Sequence, residues 1–333
     1  MEVQNESLRE GVKIAESENE NGTHFSAIPQ KPKNAMREAK KKEKIFLFFF
    51  LLYPVGQALF FYLTINLNSI LLAFQKYENG IISFTGDPFF NFRRVLQEIF
   101  VTGELWTPMK NSAILLVLNT VIGLPVHIIV AYAIFRKIPG SSFYKIMLFL
   151  PNMMSSMIFV ITFRTIVQDA LPLLLKMDSL KLLDVHRESS FWTVALFGFW
   201  LEFSGGLVIY LSAMAGIPVD VLEYGKLENL SSIKEFWYVV VPLIFSTITT
   251  YLVIGITKFF TSQGFFFSFF SAYLDPTPFD TLGYVFFARV VAADAGIRNY
   301  PYTSAAGLLF TLVIGPLTII AKTLLEKYGP SEE

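Results

Sequence analysis

Six long apolar stretches fix what this chain can become. They cover 45–74, 110–135, 143–166, 191–214, 238–260 and 303–325. Each is long enough to cross a bilayer, which takes about 20 helical residues. Inside hydrocarbon every backbone N–H and C=O must be satisfied within the protein, and a helix does this within its own segment. The expected fold is therefore all-α, a polytopic membrane protein of about six transmembrane helices. Composition agrees: 53% of residues are hydrophobic, 35 are Phe, and only 16% are charged, too few to cover a soluble surface of this kind. Two shorter apolar runs, 265–270 and 285–293, are separated by Asp275, Pro276, Pro278 and Asp280. They are expected as external or re-entrant pieces; a seventh and eighth span is the alternative.

Orientation follows from charge. Lys31, Lys33, Arg37, Lys40, Lys41, Lys42 and Lys44 precede the first span, and only Lys76 lies close after it. The positive-inside bias puts the N-terminus in the cytosol. Six crossings return the C-terminus, with Lys322 and Lys327, to the same side. The chain then divides into a disordered cytosolic tail (1–44), a first span with an extracytoplasmic segment (45–109), a core (110–327) and a short cytosolic end (328–333). The basic part of the tail suits an anionic lipid surface. The first apolar run begins only at Ile45, behind charged residues, so no cleavable signal peptide is expected.

Several chemistries are excluded. Net charge is zero, which gives no case for nucleic acid, and there is no Cys for a disulfide or a thiolate metal site. No Gly-x-x-x-x-Gly-Lys-Ser/Thr or Gly-x-Gly-x-x-Gly run is present. His24, His127 and His186 are scattered, and none falls in a zinc-protease pattern. No Ser sits in a Gly-x-Ser-x-Gly elbow. No catalytic residue and no metal site is expected.

Between the fourth and fifth spans lies a polar island, Glu223-Tyr-Gly-Lys-Leu-Glu-Asn-Leu-Ser-Ser-Ile-Lys-Glu-Phe-Trp-Tyr-Val-Val-Val-Pro242. Its punctuation reads helix, turn, helix. Pro218 suits the first turn of a short helix, and Asn229 suits a left-handed turn residue. Ser232 with Glu235 reads as a Ser-x-x-Glu capping box opening the next helix. The expected topology puts this hairpin in the cytosol, where a rigid bent knob can dock a soluble partner.

The island also resembles the EAA loop of ABC-importer permeases. Glu223 takes the Glu position, Tyr224 and Gly225 the two Ala positions, Glu228 the Asp, Asn229 the Gly, Leu230 the last Ala and Pro242 the trailing Pro. The Asn-for-Gly departure keeps a residue tolerant of positive φ. Further segments resemble carbohydrate permeases of the maltose or glycerol-3-phosphate type: Phe84-Thr-Gly-Asp-Pro-Phe-Phe-Asn-Phe-Arg-Arg-Val-Leu96, Asn111, Ser142-Phe-Tyr144 through Leu148-Phe-Leu-Pro151, Trp200 with Gly205, and Tyr300-Pro-Tyr-Thr-Ser-Ala-Ala306. The family's Gly-Gly-Gly-Pro is absent, with Asp275-Pro-Thr-Pro278 standing near its place. The resemblance covers about 45–327. It implies a permease subunit of an ATP-driven importer in a prokaryotic cell membrane, working by alternating access. It implies a second homologous permease, two ATPase subunits and an extracytoplasmic solute-binding protein as partners. No cofactor binds this chain; ATP and Mg belong to the ATPase. Leu222, Glu223, Gly225, Leu227, Glu228, Asn229 and Leu230 are then the ATPase-coupling residues. An ion- or proton-coupled secondary transporter is the rival reading, although no internal repeat is visible.

Polar residues inside spans cost free energy and need a reason. Glu202 lies midway along the fourth span: it either contacts solute hydroxyls or ties two helices in a buried pair. Asn119, and Asn152 beside the helix-breaking Pro151, are further pathway candidates. Lys258 and Gln263 end the fifth span, where Lys258 either snorkels to the surface or meets an acidic sugar. Trp200 and Tyr251 offer rings for sugar stacking. Gly205-Gly206 suits close helix packing.

Overall fold

The computed structural model describes residues 33–84, 86–177, 181–292 and 296–330, with the side chains of 33–40 and of Asn152 outside the description. The acidic part of the expected tail lies outside the described residues. Two compact units form, one ending at Asn68 and one running from Ser69 onward. Six helices are long and apolar enough to span a membrane.

The first unit carries most of α1, Lys33–Ala73. Large side chains from Ile45 to Leu71 are exposed along it, and a helix apolar on every face suits lipid contact. The helix starts well before the apolar run, so 33–44 is helical and not part of a disordered tail. Lys, Ala, Glu, Met and Arg are good helix formers, and extending a nucleated helix is far easier than starting one.

The second unit opens with a β-hairpin, β1 (Gln75–Glu78) and β2 (Ile81–Phe84), in the register Gln75↔Phe84 and Glu78↔Ile81. Asn79 and Gly80 both have positive φ, 51° and 85°, as a tight hairpin turn of the Asn-Gly kind requires. α2 (Phe90–Phe100) follows. The buried Asn91 amide donates to the carbonyls of Ala73 (3.1 Å) and Gln75 (2.6 Å). The resemblance's first Asn is thus a clamp on the backbone where α1 turns into β1.

The other spans are α3 (Trp106–Phe135), α5 (Ser156–Leu175), α6 (Ser189–Ala215), α9 (Phe245–Thr261, apolar on to Phe270) and α12 (Gly296–Tyr328). Between them lie α4 (Ser141–Met153), α7 (Val219–Leu227), α8 (232–243) and the short α10 (Phe266–Phe270) and α11 (Leu282–Val291). Two expected boundaries move. The third span does not run 143–166: α4 stops at Met153, Met154 and Ser155 are extended, and a new helix starts at Ser156. Pro151 lacks an N–H and crowds the preceding turn, so the helix ends within three residues of it. The fifth span starts at Phe245, not 238. Pro242 removes a rung, a π turn at Phe236–Val240 absorbs the misfit, and Ile244 leaves the helical region.

One core packs α3 and α6 through Ile128, Ala131, Leu207, Tyr210 and Met214, closed by Val240, Ile244 and Ile248. A second gathers Phe191 and Phe197 with Phe266, Phe269, Phe279 and Tyr284. The first run and the described part of the second, in α10 and α11, are therefore short packed helices whose aromatic faces are buried, too short to be extra spans.

Asn111 ties the second of these runs to α3. Its amide donates to the carbonyls of Pro278 (2.9 Å) and Asp280 (2.8 Å), and the neighbouring Ser112 hydroxyl accepts from Leu282 N–H (3.0 Å). The Asp280 carboxylate accepts from the N–H (3.0 Å) and hydroxyl of Thr277, while burial pushes its carboxyl up from the usual range. Asn111→Ala orphans two buried carbonyls at once. A loss of about 2 kcal/mol is expected, read as a lower thermal midpoint of the purified protein in detergent. Asn111→Asp cannot rescue it, because an ionised carboxylate has no proton to donate. An unchanged midpoint in the alanine variant contradicts this role.

Candidate functional site

The polar island folds as the expected hairpin, with local differences. Pro218 is the extended residue capping α7, not a first-turn residue. Asn229 is left-handed, φ 57°, and the N–H groups of Asn229 and Leu230 close the helix end onto Lys226 (3.1 Å) and Gly225 (3.1 Å). The cap of α8 is Ser231, whose hydroxyl accepts from Lys234 N–H at 3.4 Å, and not Ser232. Glu235 is absent from any capping box. It is buried and binds Arg136, which directly follows α3, through both carboxylate oxygens at 3.1 and 2.9 Å. Two charge-assisted bonds outweigh one backbone N–H, so the carboxylate turns toward α3. The Tyr132 hydroxyl donates to Ser232 O (2.8 Å) and to Glu235 (3.4 Å), and its ring packs on Phe236 at 5.0 Å.

Glu223, Tyr224, Leu227 and Glu228 are exposed on the hairpin, with Leu227 83% accessible and Ile233 close behind at 73%. Leu222 and Leu230 are half-buried. Leu222 packs against the α3–α6 core, and Leu230 lies 3.6 Å from where a Gly225 Cβ would stand. The knob thus presents carboxylates and apolar side chains outward on a frame packed against the bundle.

Within the bundle lies a cavity of about 580 Å³. Its wall includes Asn119, Thr120 and His127 from α3, Ser156 from α5, Glu202, Gly205 and Tyr210 from α6, and Tyr251 and Lys258 from α9. Of the sequence candidates, Asn119, Glu202, Tyr251 and Lys258 meet here. Trp200 lies outside the wall, edge-on to Phe159 and Phe197. Gln263 lies outside it too, next to the wall residue Ser262. Pro151 is part of the wall, while the side chain of Asn152 lies outside the description.

Glu202 and Lys258 face each other with Nζ 3.8 Å from Oε2. Both are about half exposed, so this is a loose pair that a solute hydroxyl can enter. The buried pair expected as one alternative for Glu202 is not what forms: the pair is half exposed, and the carboxylate lines the cavity. Composition gave no hint of Tyr210: it is fully buried, yet its hydroxyl finds no partner among the described residues, and the same holds for His127 Nε2. Gly206 makes room for His127, 3.0 Å from where a Cβ would stand, whereas Gly205 has nothing within 4 Å and opens on the cavity. The glycine pair therefore splits its roles between packing and space. Among the described residues no cluster of metal-binding side chains occurs.

No protein-family model matches the chain. The polygalacturonan/rhamnogalacturonan transport system permease protein YteP of Bacillus subtilis is 23% identical over 272 residues, which is 78% of this chain and 81% of the relative. The multiple sugar-binding transport system permease protein MsmF of Streptococcus mutans is 21% identical over 291 residues, 84% of this chain and 94% of the relative. The crystal structure of a bacterial ABC transporter that imports the acidic polysaccharide alginate shares the fold, with a TM-score of 0.65 at 16% identity over 88% of this chain and 99% of that one. Over most of its length the chain is similar to permease proteins of sugar transport systems. Of its membrane-capable helices, α3, α5, α6 and α9 line a polar cavity, and a packed hairpin joins two of them.

Proposed function

We propose that the chain forms one half of the translocation path of an ATP-driven carbohydrate importer in the cell membrane, and that the hairpin at Glu223–Leu230 is where an ATPase subunit docks. The observation that carries the reading is the cavity. It combines a carboxylate, an ammonium, several hydroxyls and aromatic rings, and two buried polar atoms in it lack partners. Sugar hydroxyls donate and accept, so they can satisfy Tyr210 and His127 and bridge Glu202 to Lys258. Many modest contacts hold a solute without trapping it.

A second homologous permease supplies the opposite wall, two ATPase subunits hold ATP and Mg, and an extracytoplasmic binding protein delivers solute. The alginate importer has been solved with a periplasmic protein bound to an alginate pentasaccharide, which supports the last partner. The basic residues in the first turns of α1, ahead of its apolar run, support a cytosolic N-terminus. ATP binding closes the ATPase pair, the hairpins move, and the two halves open outward by alternating access.

The test is uptake by the assembled importer in proteoliposomes, using labelled uronic and neutral oligosaccharides. Glu202→Ala is expected to cut uptake of the accepted sugar about tenfold, the worth of one hydrogen bond to a charged group. The hairpin and the ATPase stay in place. Wild-type uptake by this variant removes Glu202 from the path. Uptake by this chain alone in vesicles stripped of ATP overturns the importer reading and restores the secondary-transporter rival.

A further inference from the structure

We infer that Arg136 and Glu235 form a pin through which the hairpin drives the second span, making them positioning residues for coupling. The inference rests on the importer reading above and assigns it a force path. The hairpin continues through α8 into α9, which carries Tyr251 and Lys258 in the cavity wall. That link is covalent. The opposite wall belongs to α3, whose Asn119, Thr120 and His127 face the same cavity, and α3 reaches α8 only across space. At that crossing Glu235, 3% exposed, holds Arg136 at 2.9 Å. The Tyr132 hydroxyl adds a bond to the Ser232 carbonyl (2.8 Å), and Arg136 Nη2 approaches the Ser232 hydroxyl (3.4 Å).

A helix is stiff along its axis, so a displacement imposed at Arg136 reaches the cavity segment of α3. Arg136 Nη1 holds both Glu235 oxygens while Nη2 reaches the Ser232 hydroxyl, so the guanidinium grips α8 at two residues and resists sliding, which a single point contact does not. The pin lets one knob move two cavity walls together. Without it, mainly apolar packing of Phe236, Val240 and Ile248 ties α3 to the moving segment, and such packing can slip, so α3 lags behind α9. A measurement on both walls tests the path.

The chain has no Cys, so single cysteines report cleanly. Leu116→Cys on α3 and Ile254→Cys on α9 both line the cavity and are placed separately in the complete transporter. Their modification by a membrane-impermeant thiol reagent is timed with and without ATP. In the parent protein ATP is expected to change the rate at both sites by about fivefold or more, the scale of an ordinary coupling energy. Arg136→Ala is expected to abolish the change at Leu116→Cys and to keep it at Ile254→Cys, with the ATPase still bound. The charge swap, Arg136→Glu with Glu235→Arg, is expected to restore the Leu116→Cys response to within about twofold of the parent. A merely structural pair would alter both sites or neither. A full ATP response at Leu116→Cys in Arg136→Ala overturns the pin. If Arg136→Ala does not assemble, the swap decides: a restored response supports the pin, and a lost one overturns it. If ATP changes neither site in the parent, the importer reading itself fails.

Discussion

Glu223→Lys is expected to lower solute uptake by the assembled importer at least about tenfold while leaving the permease folded. Glu223 is exposed on α7, so the isolated subunit loses no internal contact, and a surface substitution of this kind usually shifts stability by no more than about 0.5 kcal/mol. Against a docked ATPase the same change replaces an attraction with a repulsion. At a desolvated interface that is worth about 2–5 kcal/mol. The variant should therefore run at the parent's thermal midpoint in detergent, yet bind the ATPase weakly or leave its hydrolysis uncoupled from uptake. Glu228→Lys, on the same exposed surface, should act in the same direction. Uptake at the parent rate by Glu223→Lys would show that this carboxylate touches no partner.

The second large effect lies near the N-terminal end of α12. Glu98 on α2 is 8% exposed and holds three elements together: it accepts from Arg289 of α11 at 3.1 Å, from the Tyr302 hydroxyl of α12, and from Arg94 within its own helix at 3.3 Å. Tyr302 lies between the two guanidinium groups, 4.7 Å from Arg94 and 5.0 Å from Arg289. Glu98→Ala leaves Arg289, only 22% exposed, without its counter-charge. Breaking one side of a buried pair costs about 3 kcal/mol or more, so the subunit should melt markedly earlier and yield less folded protein. Adding Arg289→Ala should recover part of the loss, because the stranded charge is then gone. If the two losses simply add, the network carries no coupling and the assignment is wrong.

Much of the architecture was legible because bilayer spans announce themselves by length and apolarity. The second and fourth spans fell within four residues of their positions, while the sixth begins seven residues before its expected start. The left-handed Asn229 was legible for a local reason, since few residues accept positive φ without strain. Failures came where two local signals competed or where partners were distant in sequence. Ser231 and Ser232 are adjacent and both able to cap; only the pull of Arg136 on Glu235 decides between them, and nothing near Glu235 in the chain announces Arg136. Pro151 was visible as a helix breaker, yet the distance between the proline and the actual stop depends on tertiary packing. Glu202 and Lys258 were each flagged, while their meeting across two helices was not. Tyr210 had no signal at all, because a tyrosine in a span rich in aromatics is ordinarily packing. The Asn79-Gly80 turn could have been read from its dipeptide alone.

The outward face of the hairpin has a consequence for the life of the subunit. Tyr224, Leu227 and Ile233 stand bare on it, 65%, 83% and 73% accessible. A copy synthesised in excess of its ATPase would display a sticky patch to the surrounding chaperones and proteases. On the proposed docking, cellular abundance of the subunit should then follow that of its nucleotide-hydrolysing companion, with orphans cleared through the patch that the companion would cover.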